Sequence, residues 1–260
     1  MKDFKVIESK ENSLIKLISG LQSSAKKRKD NSLFVLEGLR ICKDAFENGI
    51  RFDKLIVSVS ALLKYKAEIS LFSDNADECI KIPDSLFNRI SDTASPQGII
   101  ALAAIPDQNM QKIDKRGRYI ALENVADPAN LGAVARTAEA LGVSGIILSS
   151  NGCDPYSPKA LRASMGTLLR IPLIILENFA SQIVTLDLKL YACVVEKNAE
   201  AIADIDFGDG CAIIIGNEAN GISDCVRHIS DKLITIPMKG SAESLNAAAA
   251  AAISIWEMMK

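Results

Sequence analysis

Three stretches of the chain set glycines and polar side chains directly after apolar, strand-like runs. The run 119–122 leads to Asn130 and, six residues on, Arg136. The run 211–215 leads to Gly216, Glu218 and Gly221, a G-x-E-x-x-G pattern. The run 233–236 ends at Pro237 and leads through Met238 and Gly240 to Ser244, Leu245 and Asn246. Ligands of open α/β sheets bind beyond the carboxyl ends of the strands, so these are the places for chemistry. Six residues are close to two helical turns, which would point Asn130 and Arg136 toward one cleft. A capping asparagine and a surface arginine describe the same two residues equally well. The glycines let a backbone turn pass close to a ligand or another segment. Glu218 beside that turn would bind a hydroxyl, fix an arginine or cap a helix. Ser244 reads as the cap of the following helix; with Asn246 it would also set a hydroxyl and an amide over the cleft.

The elements that must hold these residues follow from apolar periodicity. Leu14, Ile15, Leu17, Ile18 and Leu21 keep helical spacing after Asn12 and Ser13, and the basic run Lys26, Lys27, Arg28, Lys29 follows. Such a run is a solvated helix end or a grip on phosphates. Strands are then expected at 33–36, 55–59, 79–82 and 98–105, with helices at 39–48, 61–69 and 83–90. The polar stretch 106–116 reads as a linker. Beyond it, strands are expected at 119–122, 145–148, 171–176, 188–195, 211–215 and 233–236, with helices at 131–141 and 244–259. The alternation predicts an α/β protein: a domain 1–105 of three or four strands with a basic helical extension 1–30, and a parallel-sheet domain 117–260.

Composition narrows the function. Among 260 residues, 48% are hydrophobic and 24% charged, which excludes overall disorder. The net charge of −2 divides unevenly: residues 1–118 hold 20 Lys/Arg against 16 Asp/Glu (+4), and residues 119–260 hold 10 against 16 (−6). Such asymmetry hints at a nucleic-acid-binding portion, or is ordinary scatter between two domains. The six cysteines form no C-x-x-C pair and read as buried, reduced thiols. With His228 as the one histidine, a zinc site or histidine acid–base chemistry is not expected, and no metal is. The first residues lack an apolar signal core, and 247–256 is about half the length of a membrane span. A soluble, cytoplasmic protein is expected. Phosphate-loop, G-x-G-x-x-G and G-x-S-x-G patterns are all missing from the sequence.

Taken together and in order, the three stretches resemble the signature motifs of the SpoU (TrmH-like) family of RNA ribose methyltransferases, within the SPOUT superfamily. The segment 157–166, with Arg162 and Ser164, resembles that family too. In the front half, Leu36-Glu37-Gly38 and Ser95-Pro96-Gln97-Gly98 resemble its substrate-binding domain, itself similar to a small ribosomal-protein RNA-binding fold.

The resemblance implies a trefoil knot in the second domain and S-adenosylmethionine bound in it, lined by Gly216, Ile236, Met238 and Leu245. It implies that Arg136 activates the ribose 2′-hydroxyl, with Asn130, Glu218, Ser244 and Asn246 holding substrate and arginine. Guanidinium groups stay protonated in proteins. Arg136 is therefore equally well read as binding the adjacent phosphate and stabilising developing alkoxide charge. For RNA, Lys26, Lys27, Arg28 and Lys29 are the expected backbone grip, with Arg162 a second candidate. The alanine run 247–252 permits close helix packing: a homodimer, as the resemblance implies, or a buried intrachain helix. Ribosomal RNA is the favoured substrate, transfer RNA the alternative. The competing classes are an RNA-binding or ribosome-assembly protein without catalysis and a generic α/β small-molecule enzyme.

Overall fold

A computed structural model of the chain describes residues 2–106, 113–196 and 198–260. Most of the expected linker 106–116 lies outside those residues. The chain divides into two compact units, Met1–Pro106 with Tyr156–Arg162, and Asp107–Pro155 with Ala163–Lys260.

The first unit runs β1 (Lys5–Val6), α1 (Ser13–Ser23), α2 (Ala25–Asn31), β2 (Leu33–Glu37), α3 (Leu39–Glu47), β3 (Phe52–Ser58), α4 (Val59–Lys64), α5 (Lys66–Asn75), β4 (Ala76–Ile82), α6 (Asp84–Ile90) and β5 (Ile99–Ala104). Among the described residues its sheet has five strands in the order β1-β4-β3-β5-β2, one more than expected, because two-residue β1 is too short to show a period. β5 is antiparallel to both neighbours, β2 and β3. The expected helix 61–69 is two helices, α4 and α5, meeting at Tyr65. The amphipathic α1 is no extension. Leu14, Ile15, Ile18 and Leu21 pack into a core with Val35, Ile56, Ile80 and Ile100. Asn12 caps α1, and Ser24 caps α2.

The basic run divides on α2. Arg28 is buried at 4% exposure, its guanidinium donating to the carbonyls of Leu21 and Gln22, so it is not available to a phosphate. The helical period turns it inward, against the last turn of α1, where carbonyls lack helical partners. Lys26, Lys27 and Lys29 stay exposed.

The second unit runs β6 (Arg118–Leu122), α7 (Pro128–Ala140), β7 (Gly145–Ser149), α8 (Pro158–Ala163), β8 (Leu173–Leu176), α9 (Phe179–Ile183), β9 (Lys189–Cys193), β10 (Glu200–Ala201), β11 (Cys211–Ile215), α10 (Asp224–Ile229), β12 (Lys232–Thr235) and α11 (Ala247–Met259). Most of α8 groups with the first unit, where Arg162 pairs with Asp92 at 2.7 Å and Tyr156 lies 5.0 Å from Phe34 between ring centroids. The seven strands, in the order β10-β12-β9-β11-β6-β7-β8, are parallel throughout. β11 is buried along its whole length, which its unbroken apolar run requires. α11 packs on α7 and β11 through the stripe Ala247, Ala251, Ser254, Ile255 and Met258, so one face of the alanine-rich helix is an intrachain contact. Its other face leaves Ile253 and Trp256 38% and 56% exposed.

Among the described residues, no helix is long and apolar enough to cross a membrane, and no group of three or more His, Cys, Asp or Glu could hold a metal ion. Cys42, Cys79 and Cys211 are buried, Cys153 and Cys193 half-buried, and Cys225 is exposed on α10, against the expectation of burial. Burial pushes the Cys42 thiol up to about 12 and the Cys211 thiol up to about 11.

Candidate active site

Because the sheet is parallel, β6, β11 and β12 end on one edge. Strand succession reverses there: β7 and β8 extend from β6 on one side, while β11 and β9 lie on the other. Such a switch point leaves a crevice between loops that part in opposite directions. The loops after the three strands meet in this crevice.

A single chain of hydrogen bonds joins them. Asn130 Nδ2 donates to Glu218 Oε1 at 2.8 Å, and Asn246 Nδ2 donates to Asn130 Oδ1 at 2.9 Å. Asn246 Oδ1 then accepts from the backbone N–H of Ala248 and Ala249 at 2.9 and 3.3 Å. Ionised carboxylates only accept, so Glu218 dictates the orientation of both amides. Its remaining positions are filled by the N–H groups of Ala126 and Asp127, both at 3.3 Å, and by Asn217 Nδ2 at 3.4 Å. Burial pushes the Glu218 carboxyl up, but the Asn130 amide and the backbone N–H donors outweigh it and hold it below its ordinary value.

Two expectations change. The cap of α11 is Asn246, not Ser244: the helix begins at Ala247, and the Asn246 oxygen reaches its first free N–H groups. Asn130 and Arg136 do not face one cleft. At about 100° per residue, six residues fall some 120° short of two turns. Asn130 is 7% exposed inside the network, whereas Arg136 is exposed on α7 with no hydrogen bond or ion pair among the described residues. The cap of α7 is Asp127, whose side chain accepts from Ala129 N.

A cavity of about 390 Å³ opens beside the network. Gly216, Ile236, Met238 and Leu245 border it together with Glu218, Ser244 and Cys193; Asn130, Asn246 and Arg136 do not. Its floor is a tight hairpin in which Asn217 and Gly221 exchange N–H···O bonds of 3.0 and 2.9 Å. A Cβ on Gly216 would lie 2.2 Å from the Gly221 carbonyl carbon, so no side chain fits there. The surfaces on offer are therefore backbone groups, the half-buried Ile236 and Met238 and the exposed Leu245, which suit an adenine ring and a thioether chain.

Sequence reasoning passed over three residues that build this floor. Asn217 donates to Asn124 O at 2.8 Å and accepts from the N–H groups of Ala219 and Asn220 at 3.0 and 3.1 Å. Asn124 sits in a left-handed turn (φ 56°), its N–H donating to Ser149 Oγ at 2.7 Å. Glu123, 5% exposed, accepts from Ser223 N at 2.9 Å. The available signal was position: each directly follows, or nearly follows, a buried strand.

Residues 117–256 match the model of the SpoU rRNA Methylase family, and residues 12–101 that of the MRM3-like substrate binding domain. The chain is 26% identical to the 23S rRNA (guanosine(2553)-2′-O)-methyltransferase RlmP of Bacillus subtilis, over 98% of this chain and 99% of that protein. An AdoMet-bound rRNA methyltransferase from Sinorhizobium meliloti superimposes with a TM-score of 0.85 at 26% identity, covering 98% of this chain and 97% of that one. The SpoU methyltransferase AviRb from Streptomyces viridochromogenes, in complex with AdoMet, gives 0.84 at 25% identity, covering 96% and 97%.

Proposed function

Because the chain belongs to the SpoU rRNA methylase family, we propose that it transfers a methyl group from S-adenosylmethionine to a ribose 2′-hydroxyl of ribosomal RNA. The observation that carries this reading is the meeting of the three loops: the Glu218–Asn130–Asn246 chain beside a cavity bordered by Gly216, Ile236, Met238 and Leu245. In the described geometry those four residues would hold the cofactor, which supplies an electrophilic methyl on a sulfonium sulfur.

The chain's own groups divide the remaining work. Glu218 has four hydrogen-bond donors on its carboxylate, which fills its acceptor positions and makes it an orienting group, not a proton acceptor. Asn130 and Asn246 transmit that orientation to the start of α11. The Ser244 hydroxyl borders the cavity and makes no hydrogen bond among the described residues, so it is free to bond the incoming ribose. Arg136, exposed on α7 and turned away from its own chain's network, would supply a fixed positive charge for the neighbouring phosphate and the developing alkoxide in the site of a second copy, the proton leaving to phosphate or water.

The first unit is the RNA-gripping domain, with Lys26, Lys27 and Lys29 exposed for phosphate contact. Arg162 is a weaker candidate, being engaged by Asp92. The insertion of β11 between β9 and β6, with β12 beyond β9, supports threading of the following loops as a trefoil knot. The exposed Ile253 and Trp256 support a homodimer built on the outer face of α11. Six free thiols are in keeping with the cytoplasm as its place of action.

The test is incubation of the purified chain with methyl-labelled S-adenosylmethionine and unmodified ribosomal RNA, followed by nucleoside analysis. Label in a 2′-O-methylnucleoside is the expected result. Label confined to a base, or none despite cofactor binding, would overturn the assignment.

A further inference from the structure

The first unit carries a cavity that the methyl-transfer site does not use. β2, β3 and β4 run parallel, so the loops after all three leave the sheet on one edge, where β5 begins. A cavity of about 400 Å³ lies at this edge, bordered by Lys64, Tyr65, Asp84, Asn88, Ser95 and Gln97 among others. Its floor is fixed by Gly98. At φ +76° a Cβ there would come within 2.4 Å of Ser58 Oγ and 2.7 Å of Ala61 Cβ, so the loop 95–98 lies flush against the start of α4.

Part of the lining is already satisfied. Ser60 donates to Asp84, Ala61 N donates to Ser58 Oγ at 3.2 Å, and Leu39 N donates to Gln97 Oε1 at 2.8 Å. The last bond anchors the Gln97 amide by its oxygen and leaves both its N–H donors over. The Asn88 amide, the Ser95 hydroxyl and the Lys64 ammonium make no hydrogen bond or ion pair among the described residues. Lys64 Nζ lies 5.1 Å from the centroid of the half-buried Tyr65 ring, so cation and ring are presented together.

These leftovers have a common addressee. Amides with spare donors and acceptors match the hydrogen-bonding edge of a nucleobase, an aromatic ring offers a stacking face, and an ammonium suits the adjoining phosphate. In a duplex that edge is consumed by pairing. We propose that this cavity takes one unpaired nucleotide of the RNA, other than the nucleotide that is methylated, its lining being drawn wholly from the first unit. The inference rests on RNA being the substrate. The cavity would give the substrate-binding unit a preference for unpaired sequence that its basic surface alone does not provide.

The test uses the full chain carrying Asn88→Ala with Gln97→Glu. The glutamate keeps the oxygen that Leu39 N requires but removes both donors. Leu71→Glu, exposed on α5 and outside the cavity, is the control for the added negative charge. Fluorescence anisotropy with a short mixed-sequence unpaired RNA should show affinity at least about fivefold below the control, as lost hydrogen bonds would give. Affinity for the same strand annealed to its complement, and for S-adenosylmethionine, should match the control. Unpaired-strand binding equal to the control, or an equal fall for the duplex, would overturn the proposal. Failure of the methyl-transfer reading looks different: the wild-type chain would bind the unpaired strand yet methylate no ribosomal RNA.

Discussion

Asn246 donates its side-chain amide to the Asn130 carbonyl oxygen at 2.9 Å while its own oxygen caps α11. The start of the last helix is thereby tied, through Asn130, to the Glu218 carboxylate on a loop from a different strand. Breaking the polarity of this chain should disturb cofactor site and helix together. In Asn130→Asp, two carboxylates would face each other where an amide now donates at 2.8 Å. One of them would take up a proton, raising the pair above its unfolded value. A raised pair contributes stability below the ordinary carboxylate range and loses it as pH rises through the folded value. The variant should melt lower than wild type by an amount that grows from pH 5 to pH 8, about 1–3 kcal/mol at the upper end. A pH-independent difference in melting would count against the facing-carboxylate account.

The wild-type protein should show the opposite sign. Glu218 is held below its ordinary value, so its contribution is present above the unfolded pKa, about 4.3, and is lost as pH falls through the folded one. S-adenosylmethionine affinity, followed by calorimetry, should hold steady through neutrality and fall on the acid side of the carboxylate range. In Glu218→Gln that acid limb should vanish, at lower affinity throughout. An unchanged acid limb would remove Glu218 from the site.

Much of this was legible in the sequence, for identifiable reasons. β11 is a continuous β-branched run, 211–215, and its bounds are as expected because a strand buried on both faces carries no polar interruption. The four cofactor-lining residues that the resemblance implied border one cavity: Gly216 directly follows buried β11, Ile236 and Met238 follow β12, and Leu245 precedes the cap of α11. What was not legible depends on rotation and on partners. The spacing of Asn130 and Arg136 itself carries the 120° offset that a two-turn reading passes over, whereas the burial of Arg28 required knowing where α1 ends. Asn217 and Asn124 act through backbone geometry that residue types alone do not specify.

The offset of Arg136 bears on assembly. If the exposed arginine serves the site of a second copy across a homodimer, inactive variants should complement. Mixed Arg136→Ala and Ser244→Ala chains would form heterodimers with one intact site, restoring about a quarter of wild-type activity after subunit exchange. No recovery from two variants that each still dimerise would return Arg136 to its own chain's site.

Cysteine chemistry offers a readout independent of RNA. Cys225 is exposed and should be alkylated first by iodoacetamide, while Cys42 and Cys211, buried and pushed up to about 12 and 11, should resist in the folded protein. Cys193 borders the proposed cofactor cavity, and burial raises its thiol too. Saturating S-adenosylmethionine should slow modification of Cys193 and leave Cys225 unaffected, as measured by peptide mass spectrometry. Equal protection of both would indicate a global change, not occupancy of this cavity.

The basic run on α2 separates into two roles that can be measured apart. Arg28 donates to the last-turn carbonyls of α1 from a buried position, so Arg28→Ala leaves buried acceptors unsatisfied and should cost about 1–3 kcal/mol of stability. Lys26 and Lys27 are exposed, and replacing both by alanine should leave the melting temperature unchanged. The same double variant should bind RNA more weakly, with a shallower dependence of log affinity on log salt, since each lost phosphate contact removes counterion release. Arg28→Ala, at temperatures where it remains folded, should keep the wild-type salt slope. If instead Arg28→Ala flattens the slope while the lysine variant does not, the buried guanidinium would have to emerge to meet RNA, and the division of labour along α2 would be reversed.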